Sequence, residues 1–230
     1  KSFLFRAREI ITRAEVMANE WTFERIKKFW ECDNLVNIKP PTGTEFPEGF
    51  DPSIVLAQIY ELFCCRAVTE LGCGYGRLCT AFVPAVYRGF DINKKAIEMA
   101  RQRYPKYSFD YLEGVDDLPA GDLLLGYTVF LHMADSYIES WCKTICSKYS
   151  KVLVVELLGR DWREGSAVPV FCRSLKDYQE LFAPFILAYE LRIPYQRYVH
   201  SEVVAHRQKS DLSISFLLFN KDGRIPDRHM

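Results

Sequence analysis

The sequence predicts an α/β fold, a doubly wound and mostly parallel seven-stranded sheet with an antiparallel last strand and an N-terminal helical segment. Three observations support this prediction. Apolar strand-like segments alternate with helical ones after about residue 50, a glycine-rich turn follows the first strand, and residues 152–155 read Val-Leu-Val-Val. Continuous apolar runs are typical of strands covered on both faces, and strand–helix alternation at this spacing is typical of a parallel sheet.

The chain divides into an N-terminal helical segment, residues 1–50, and a larger domain, residues 51–230. Thr22 is a candidate cap for a helix in the first part, and prolines and glycines between residues 39 and 49 interrupt regular structure. The larger domain begins with a helix that follows Asp51 and runs to about Phe63.

Strands and helices alternate from there to the end of the chain. The predicted strands are 67–71, 86–91, 107–112, 122–129, 151–157, 185–192 and 212–219. The predicted helices are 76–83, 93–103, 136–148 and 174–182. Ser174 and Asp177 form a capping box at the start of the last helix, which supports its N-terminal boundary.

The turn after the first strand carries the strongest functional signal. Glu70 ends the strand, Gly72, Gly74 and Gly76 follow at alternate positions, and the next strand ends in Asp91. Glycines allow the backbone to approach a ligand closely, and an acid at the end of the second strand accepts hydrogen bonds from ribose hydroxyls. This arrangement predicts a site for a nucleoside-type cofactor.

The spacing of the glycines separates two classes of cofactor. Dinucleotide sites read G-x-G-x-x-G, whereas this turn reads E-x-G-x-G-x-G and has Arg77 at the place of the third dinucleotide glycine. The negative charge of Glu70 favours a cationic ligand without phosphates. With Asp91, the turn resembles the first motif of the class I S-adenosylmethionine-dependent methyltransferases that act on small molecules. The resemblance implies a Rossmann-like fold, methyl transfer, and S-adenosyl-L-methionine bound by these residues and the adjacent Ile92.

Two later segments extend this resemblance. Residues 114–119 are similar to the family pattern Gly-Asp-x-x-x-Leu-Pro, one residue shorter, which implies that Asp116 contacts the adenine; a solvated acidic turn is the alternative. Residues 126–133 resemble the fourth-strand segment, in which a histidine often follows an apolar pair. This implies Thr128 as a cofactor contact and His132 as a general base. The alternative is a histidine that caps the following helix or fills a half-buried site.

The acceptor side is less determined by the sequence. The resemblance implies that residues 1–50 cover the acceptor, with Tyr137, Trp162 and Arg173 as candidate contacts. Arginine holds carboxylates and phosphates well, so the expected acceptor is a hydroxyl or amine of a small molecule such as a sugar or an anionic metabolite. The alternative is that each of these residues is a surface charge or a core aromatic.

Composition and missing motifs exclude several classes of function. Net charge is zero and the pI is near 7, which argues against nucleic acid as a partner. No apolar run is long enough to span a bilayer, no signal peptide opens the chain, and the eight cysteines fall in regular elements, so we expect reduced thiols and a cytoplasmic protein. The chain begins with Lys1, which indicates one domain of a longer protein.

A metal site is not expected either. No Asp-Asn pair follows the fifth strand and no cysteine pairs have zinc-ligand spacing, so the predicted enzyme is metal-independent. Two other functions stay open at this point. One is a regulatory or interaction module that binds S-adenosylmethionine without turnover, and the other is a nicotinamide-dependent oxidoreductase.

Overall fold

A computed structural model describes residues 21–31, 50–159, 169–194 and 213–226 of the protein. Five helices of more than one turn lie within these ranges: α1 (Phe23–Trp30), α2 (Pro52–Leu62), α3 (Lys94–Arg103), α4 (Asp135–Lys148) and α5 (Leu175–Leu181). The strands are β1 (Val68–Leu71), β2 (Tyr87–Asp91), β3 (Ser108–Tyr111), β4 (Gly121–Tyr127), β5 (Tyr149–Leu157), β6 (Ile186–Pro194) and β7 (Ser213–Asn220).

The seven strands form one sheet in the order β3-β2-β1-β4-β5-β7-β6. The pairs among β1 to β5 are parallel, and β7 inserts antiparallel between β5 and β6. The predicted fold class is therefore confirmed, including the antiparallel last strand. The strand order reverses between β1 and β4, and open sheets of this kind bind ligands beyond the carboxyl ends of the strands at such a switch.

Helices cover both faces of the sheet, which explains the continuous apolar runs of the central strands. Leu56 of α2 and Ile97 of α3 pack into the core on one face. Ile145 of α4 and Tyr178 of α5 pack into the core on the other face. Leu124, Val152 and Val154 are fully buried between these layers, so the strands that carry the site at their ends are covered on both faces.

Local sequence signals account for three helix starts. The Thr22 side chain accepts a hydrogen bond from the amide of Arg25 at the start of α1. Asp51 accepts one from the amide of Ser53 at 2.9 Å, ahead of α2. The predicted capping box at Ser174 and Asp177 is present at α5. Each cap satisfies amide groups that would otherwise have no partner in the first turn.

The helix predicted at 76–83 is wrong. The chain instead forms two short 3-10 turns there, Cys79–Ala81 and Pro84–Val86. Gly76 has a φ of 82°, which lies outside the helical region, and Pro84 cannot donate an intrahelical hydrogen bond.

Within the ranges that the structure describes, no helix is both long enough and apolar enough to cross a membrane. The division of the chain at residue 50 stays a prediction. Helix α1, the described part of the N-terminal segment, packs against α4 through Phe23, whose ring lies 5.0 Å from that of Trp141.

Candidate active site

A cavity lies at the carboxyl ends of β1, β2 and β4, where the strand order reverses. One part of its wall is the glycine-rich turn and the end of β2, formed by Gly72, Cys73, Gly74, Tyr75, Arg77, Asp91 and Ile92. Another part comes from α1, α4 and the residues after β4, with Phe23, Ile26, Trp30, Thr128, His132, Met133, Tyr137 and Trp141.

The glycine-rich turn forms an open cradle at this cavity. Gly72, Gly74 and Gly76 all have positive φ, at 72°, 55° and 82°, so the backbone takes a path that other residues rarely adopt. A Cβ atom added to Gly74 would meet nothing within 4 Å, whereas one added to Gly72 would lie 2.7 Å from Val129. Gly74 therefore leaves space toward the cavity, and the turn fits a ligand that approaches the backbone closely.

Asp91 is the acid that faces this cradle. Its Oδ2 accepts a hydrogen bond from the amide of Gly74 at 2.8 Å, and its Oδ1 accepts one from the amide of Asn93 at 2.8 Å. Burial raises the pKa of this carboxyl, and the amides of Asn93, Gly74 and Ile92 oppose that rise. A carboxylate offers about four lone-pair sites, so these two bonds leave capacity for the hydroxyls of a ribose.

Glu70 does not line the cavity. It is buried beneath the turn, where its carboxylate accepts a hydrogen bond from the hydroxyl of Tyr87. Burial raises the pKa of Glu70 to about 7, while the bond from Tyr87 and the charge of Arg77 oppose the rise. Glu70 therefore packs behind the glycine-rich turn. It does not contact the cavity itself, although the sequence predicts it as a cofactor residue.

Arg77 is the one permanently charged cation among the described residues of the cavity wall. Its guanidinium carbon lies 4.6 Å from the centre of the Tyr127 ring, within the range of a cation–π contact. Tyr127 ends β4, so this contact joins the glycine-rich turn to the neighbouring strand.

Thr128 follows β4 and has a φ of 53°, which is uncommon for a β-branched residue. Its amide donates to the carbonyl of Val155 at 2.8 Å, so the end of β5 holds this backbone in place. After this turn the chain contributes Val129, His132 and Met133 to the cavity wall.

His132 lies in the cavity wall with its ring orientation defined. Its Nδ1 is 2.6 Å from the backbone carbonyl of Pro169, and a carbonyl oxygen can only accept, so Nδ1 carries the hydrogen. In the neutral ring the lone pair is then on Nε2. The indole of Trp30 lies against the same ring, with centroids 4.7 Å apart at an angle of 63°.

Of the remaining predicted residues, some line the cavity and others lie outside it. Ile92 and Tyr137 line the cavity, and burial raises the pKa of Tyr137 to about 12. Gly76 lies behind the wall, where Phe109 and Tyr104 crowd its α-carbon. Asp116 is exposed outside the cavity, and Trp162 lies outside the described residues.

Arg173 corrects the expectation that it holds an acceptor. Its side chain is buried outside the cavity wall, and its guanidinium donates to the carbonyls of Phe130 and Met133 and to the carboxylate of Asp135. A guanidinium whose donors are already engaged is not available to a ligand. Sequence spacing alone gave no sign of these backbone partners.

Several cavity residues escaped the sequence analysis. Ile26, Met133 and Trp141 line the wall, although nothing in their local pattern differs from ordinary core positions. For Ile26, the signal that could have found it is the amphipathic face of α1, because an apolar helix face needs a partner surface. In the part of the chain that the structure describes, no group of three or more His, Cys, Asp or Glu side chains could hold a metal ion.

Comparisons with known proteins support a common fold. No protein-family model matches the chain. A fatty-acid O-methyltransferase of Mycolicibacterium smegmatis is 27% identical over 184 residues, which cover 74% of this chain and 62% of that relative. The chain thus spans less than two thirds of that relative's length.

Two solved structures share the architecture at low sequence identity. The [4+2]-cyclase SpnF has a TM-score of 0.61 at 14% identity and covers 88% of this chain and 97% of its own. Magnesium protoporphyrin IX methyltransferase of Synechocystis PCC 6803, solved with bound S-adenosylmethionine, has a TM-score of 0.53 at 14% identity and covers 74% and 77%.

Proposed function

The chain has the fold of the class I S-adenosylmethionine-dependent methyltransferases, and we propose that it transfers a methyl group from S-adenosylmethionine to a small molecule. One observation carries the proposal. The glycine cradle and Asp91 line a cavity at the switch in strand order, and His132 lines the same cavity. Such a cavity brings a nucleoside-type cofactor and a proton acceptor to one space.

The cofactor fits the residues that are present. Asp91 would accept hydrogen bonds from the ribose hydroxyls, Gly74 would leave space for the ligand beside its backbone, and Ile92 would line the same space. When bound, S-adenosylmethionine supplies an electrophilic methyl group on a sulfonium centre. The aromatic and aliphatic side chains of the wall would take a nucleophile out of water and hold it beside the methyl group.

His132 acts on the acceptor through Nε2. Because the carbonyl of Pro169 holds the hydrogen on Nδ1, Nε2 takes up the proton that an acceptor hydroxyl releases. A neutral imidazole suits this task near pH 7 because its ordinary pKa is about 6.5. Glu156 is fully buried and Tyr137 has a raised pKa, so neither competes with His132 as the base at neutral pH.

The acceptor has an apolar body. Phe23, Trp30, Met133, Tyr137 and Trp141 form its side of the cavity, and Arg173 is engaged elsewhere. A sugar or a highly charged metabolite would lose its hydration there without gaining polar partners. The fatty-acid O-methyltransferase relative supports an oxygen acceptor on an apolar chain. A hydroxyl acceptor needs His132 as base, whereas a carboxylate acceptor has already lost its proton.

The test is a methyl-transfer assay with radiolabelled S-adenosylmethionine and a matched acceptor panel. The panel pairs straight-chain fatty acids of several lengths and hydroxylated aromatic compounds with a sugar and a sugar phosphate. We expect product with apolar oxygen acceptors only. Transfer to the sugars alone would contradict the acceptor class, and calorimetry that finds NAD binding instead of S-adenosylmethionine would replace the function by an oxidoreductase.

The cyclase SpnF shares this fold, so the architecture by itself does not dictate methyl transfer. Tight binding of S-adenosylmethionine without product across the whole panel would therefore favour a binding or regulatory module. The presence of His132 in the same cavity as Asp91 favours turnover over that alternative.

A further inference from the structure

The turn that carries His132, residues 129–133, is held by polar side chains from two sides. This His132 turn contains the 3-10 turn Phe130–His132. Arg173 reaches it from the segment after β5, and Glu156 reaches it from the end of β5 itself. Neither side chain lines the cavity.

Arg173 binds the carbonyl side of the turn. Its Nη1 donates to the carbonyl of Phe130 at 2.9 Å and its Nη2 to the carbonyl of Met133 at 2.8 Å. The carboxylate of Asp135, in the first turn of α4, accepts from the same Nη2. A guanidinium is planar and rigid, so bonds to three separate groups fix their relative positions.

Glu156 binds the amide side of the same turn. Its Oε1 accepts from the amide of Leu131 at 3.2 Å, and the carboxyl is fully buried. Burial raises the pKa of Glu156 to about 8, and the amides of Leu131, Phe130 and Val129 oppose that rise. The hydrogen bond from the Leu131 amide is thus the direct contact between Glu156 and the turn.

The segment that carries Arg173 also touches His132 directly. The amide of Phe171 donates to the carbonyl of Leu131 at 2.7 Å, and the carbonyl of Pro169 accepts from Nδ1 of His132 at 2.6 Å. The turn and the segment 169–173 thus form one hydrogen-bonded unit. A shift of either part changes the distance between Nδ1 and the Pro169 carbonyl.

We infer that Arg173 and Glu156 are positioning residues, which hold the His132 turn so that the imidazole keeps its hydrogen on Nδ1 and presents Nε2 to the acceptor. The inference rests on the proposed function for its catalytic part only. Burying a guanidinium and a carboxyl costs free energy that an apolar pair of similar size would avoid. Their directional bonds, each to a backbone group of one turn, account for polar groups at these positions.

The tautomer of His132 provides a readout that does not depend on activity. The chain contains four histidines, and the signals of His132 in a histidine-labelled sample are identified by their loss in His132→Asn. Long-range proton–nitrogen correlation spectra distinguish a ring protonated on Nδ1 from one protonated on Nε2. We expect the Nδ1-protonated form in the unaltered protein and a shift toward the Nε2-protonated form in Arg173→Met.

Three further variants sharpen the comparison. Arg173→Lys keeps a charge but cannot reach three partners at once, so its spectrum should be intermediate. Glu156→Met keeps the approximate size of the side chain but removes the oxygen that accepts from the Leu131 amide, so it tests the amide side separately. Arg101→Met is the matched control, because Arg101 also donates two bonds to a backbone carbonyl, that of Phe109, and lies 3.6 Å from a carboxylate, at the far edge of the sheet.

Turnover and affinity then complete the test. Arg173→Met should lower turnover at least about tenfold, since a mispositioned base loses much of the 10²–10⁴-fold that general-base catalysis provides. The affinity for S-adenosylhomocysteine should stay within about twofold, because the cofactor side of the cavity is intact. Arg101→Met should change neither.

Two results would overturn the inference. One is an unchanged His132 tautomer in both Arg173→Lys and Glu156→Met, which stay close in size to the residues they replace and keep the test open if Arg173→Met does not fold. The other is a loss of turnover that only follows a loss of cofactor affinity. If the unaltered protein transfers no methyl group at all, the proposed function fails, while the tautomer measurement still decides the positioning inference.

Discussion

Trp30 and His132 are in edge contact, with ring centroids 4.7 Å apart, although 102 residues separate them in sequence. One belongs to the N-terminal helix α1 and the other to the turn after β4. The carbonyl of Trp30 also accepts from the side-chain amide of Asn93 at 2.6 Å, which anchors the end of α1 beside the start of α3. The N-terminal segment thus contributes to the wall of the site itself.

Trp30→Leu should weaken acceptor binding more than cofactor binding. The indole covers one side of the imidazole, and replacing it removes an aromatic contact worth about 0.5–1.5 kcal/mol. The expected result is a several-fold higher KM for an apolar acceptor with little change in S-adenosylhomocysteine affinity by calorimetry. Phe29→Leu is the control, since Phe29 belongs to the same helix but does not line the cavity. Equal effects in both variants would contradict a specific part for Trp30.

Asp91→Ala should weaken cofactor binding by about 1–3 kcal/mol, because ribose hydroxyls and the amide of Gly74 lose a charged acceptor. Asp91→Asn keeps the shape and should show a smaller loss. The control is Asp110→Ala, which removes a half-buried carboxylate on the adjacent strand β3. Calorimetry with S-adenosylhomocysteine measures all three, and an unchanged affinity in Asp91→Ala would remove this residue from the site.

His132→Ala should lower turnover about 10²–10⁴-fold with hydroxyl acceptors while cofactor affinity barely changes. The rate of the unaltered protein should rise with pH through a value near neutrality. With a carboxylate acceptor the loss should be smaller, because no proton is removed in that reaction. A variant that keeps most of its turnover with hydroxyl acceptors would end the general-base hypothesis.

Activity should survive EDTA. The proposed chemistry uses Nε2 of His132 as the proton acceptor, and the described residues offer no cluster of ligands for a metal ion. The assay compares initial rates before and after chelation and after the addition of magnesium. A complete loss that magnesium reverses would contradict metal independence.

Glu156 should make the protein less stable as pH rises. Its pKa in the folded protein is about 8, above its ordinary value of 4.5, so the folded state keeps a proton that the unfolded chain has released. The free energy of unfolding therefore falls between about pH 4.5 and 8, by at most about 1.4 kcal/mol per pH unit from this one group. Denaturant titrations at several pH values should give a shallower fall for Glu156→Gln.

Glu98→Gln is the control for that measurement, because it removes an exposed carboxylate of α3. It should leave the slope unchanged. If the free energy of unfolding falls equally with pH in Glu156→Gln and in the unaltered protein, the buried carboxyl does not contribute to this fall and the prediction is wrong.

The sheet could be predicted because its signals are local. Runs such as Val152–Val155 identify buried strands, and Gly72, Gly74 and Asp91 identify the cofactor turn through a fixed spacing. The helix at 76–83 was wrong because the conformation of Gly76 and the position of Pro84 outweigh helix propensity in so short a segment.

The site beyond the cofactor turn depends on contacts between distant parts of the chain. The resemblance and the residue type predict that Arg173 holds an acceptor, whereas its partners are carbonyls about forty residues earlier. Trp30 was not predicted as a neighbour of His132, because periodicity shows that α1 has an apolar face but not what that face covers. Tertiary packing decides both cases.

Thr128 has a backbone conformation that lowers the stability of the fold, at a position that lines the cavity. A β-branched residue with a φ of 53° costs on the order of 1–3 kcal/mol, which Asn or Gly at this position would largely avoid. Directed evolution toward heat resistance would therefore tend to replace Thr128, even though its side chain lines the cavity. Selection for turnover would restore it, so the identity of residue 128 in a set of laboratory-evolved variants would record which pressure had acted on them.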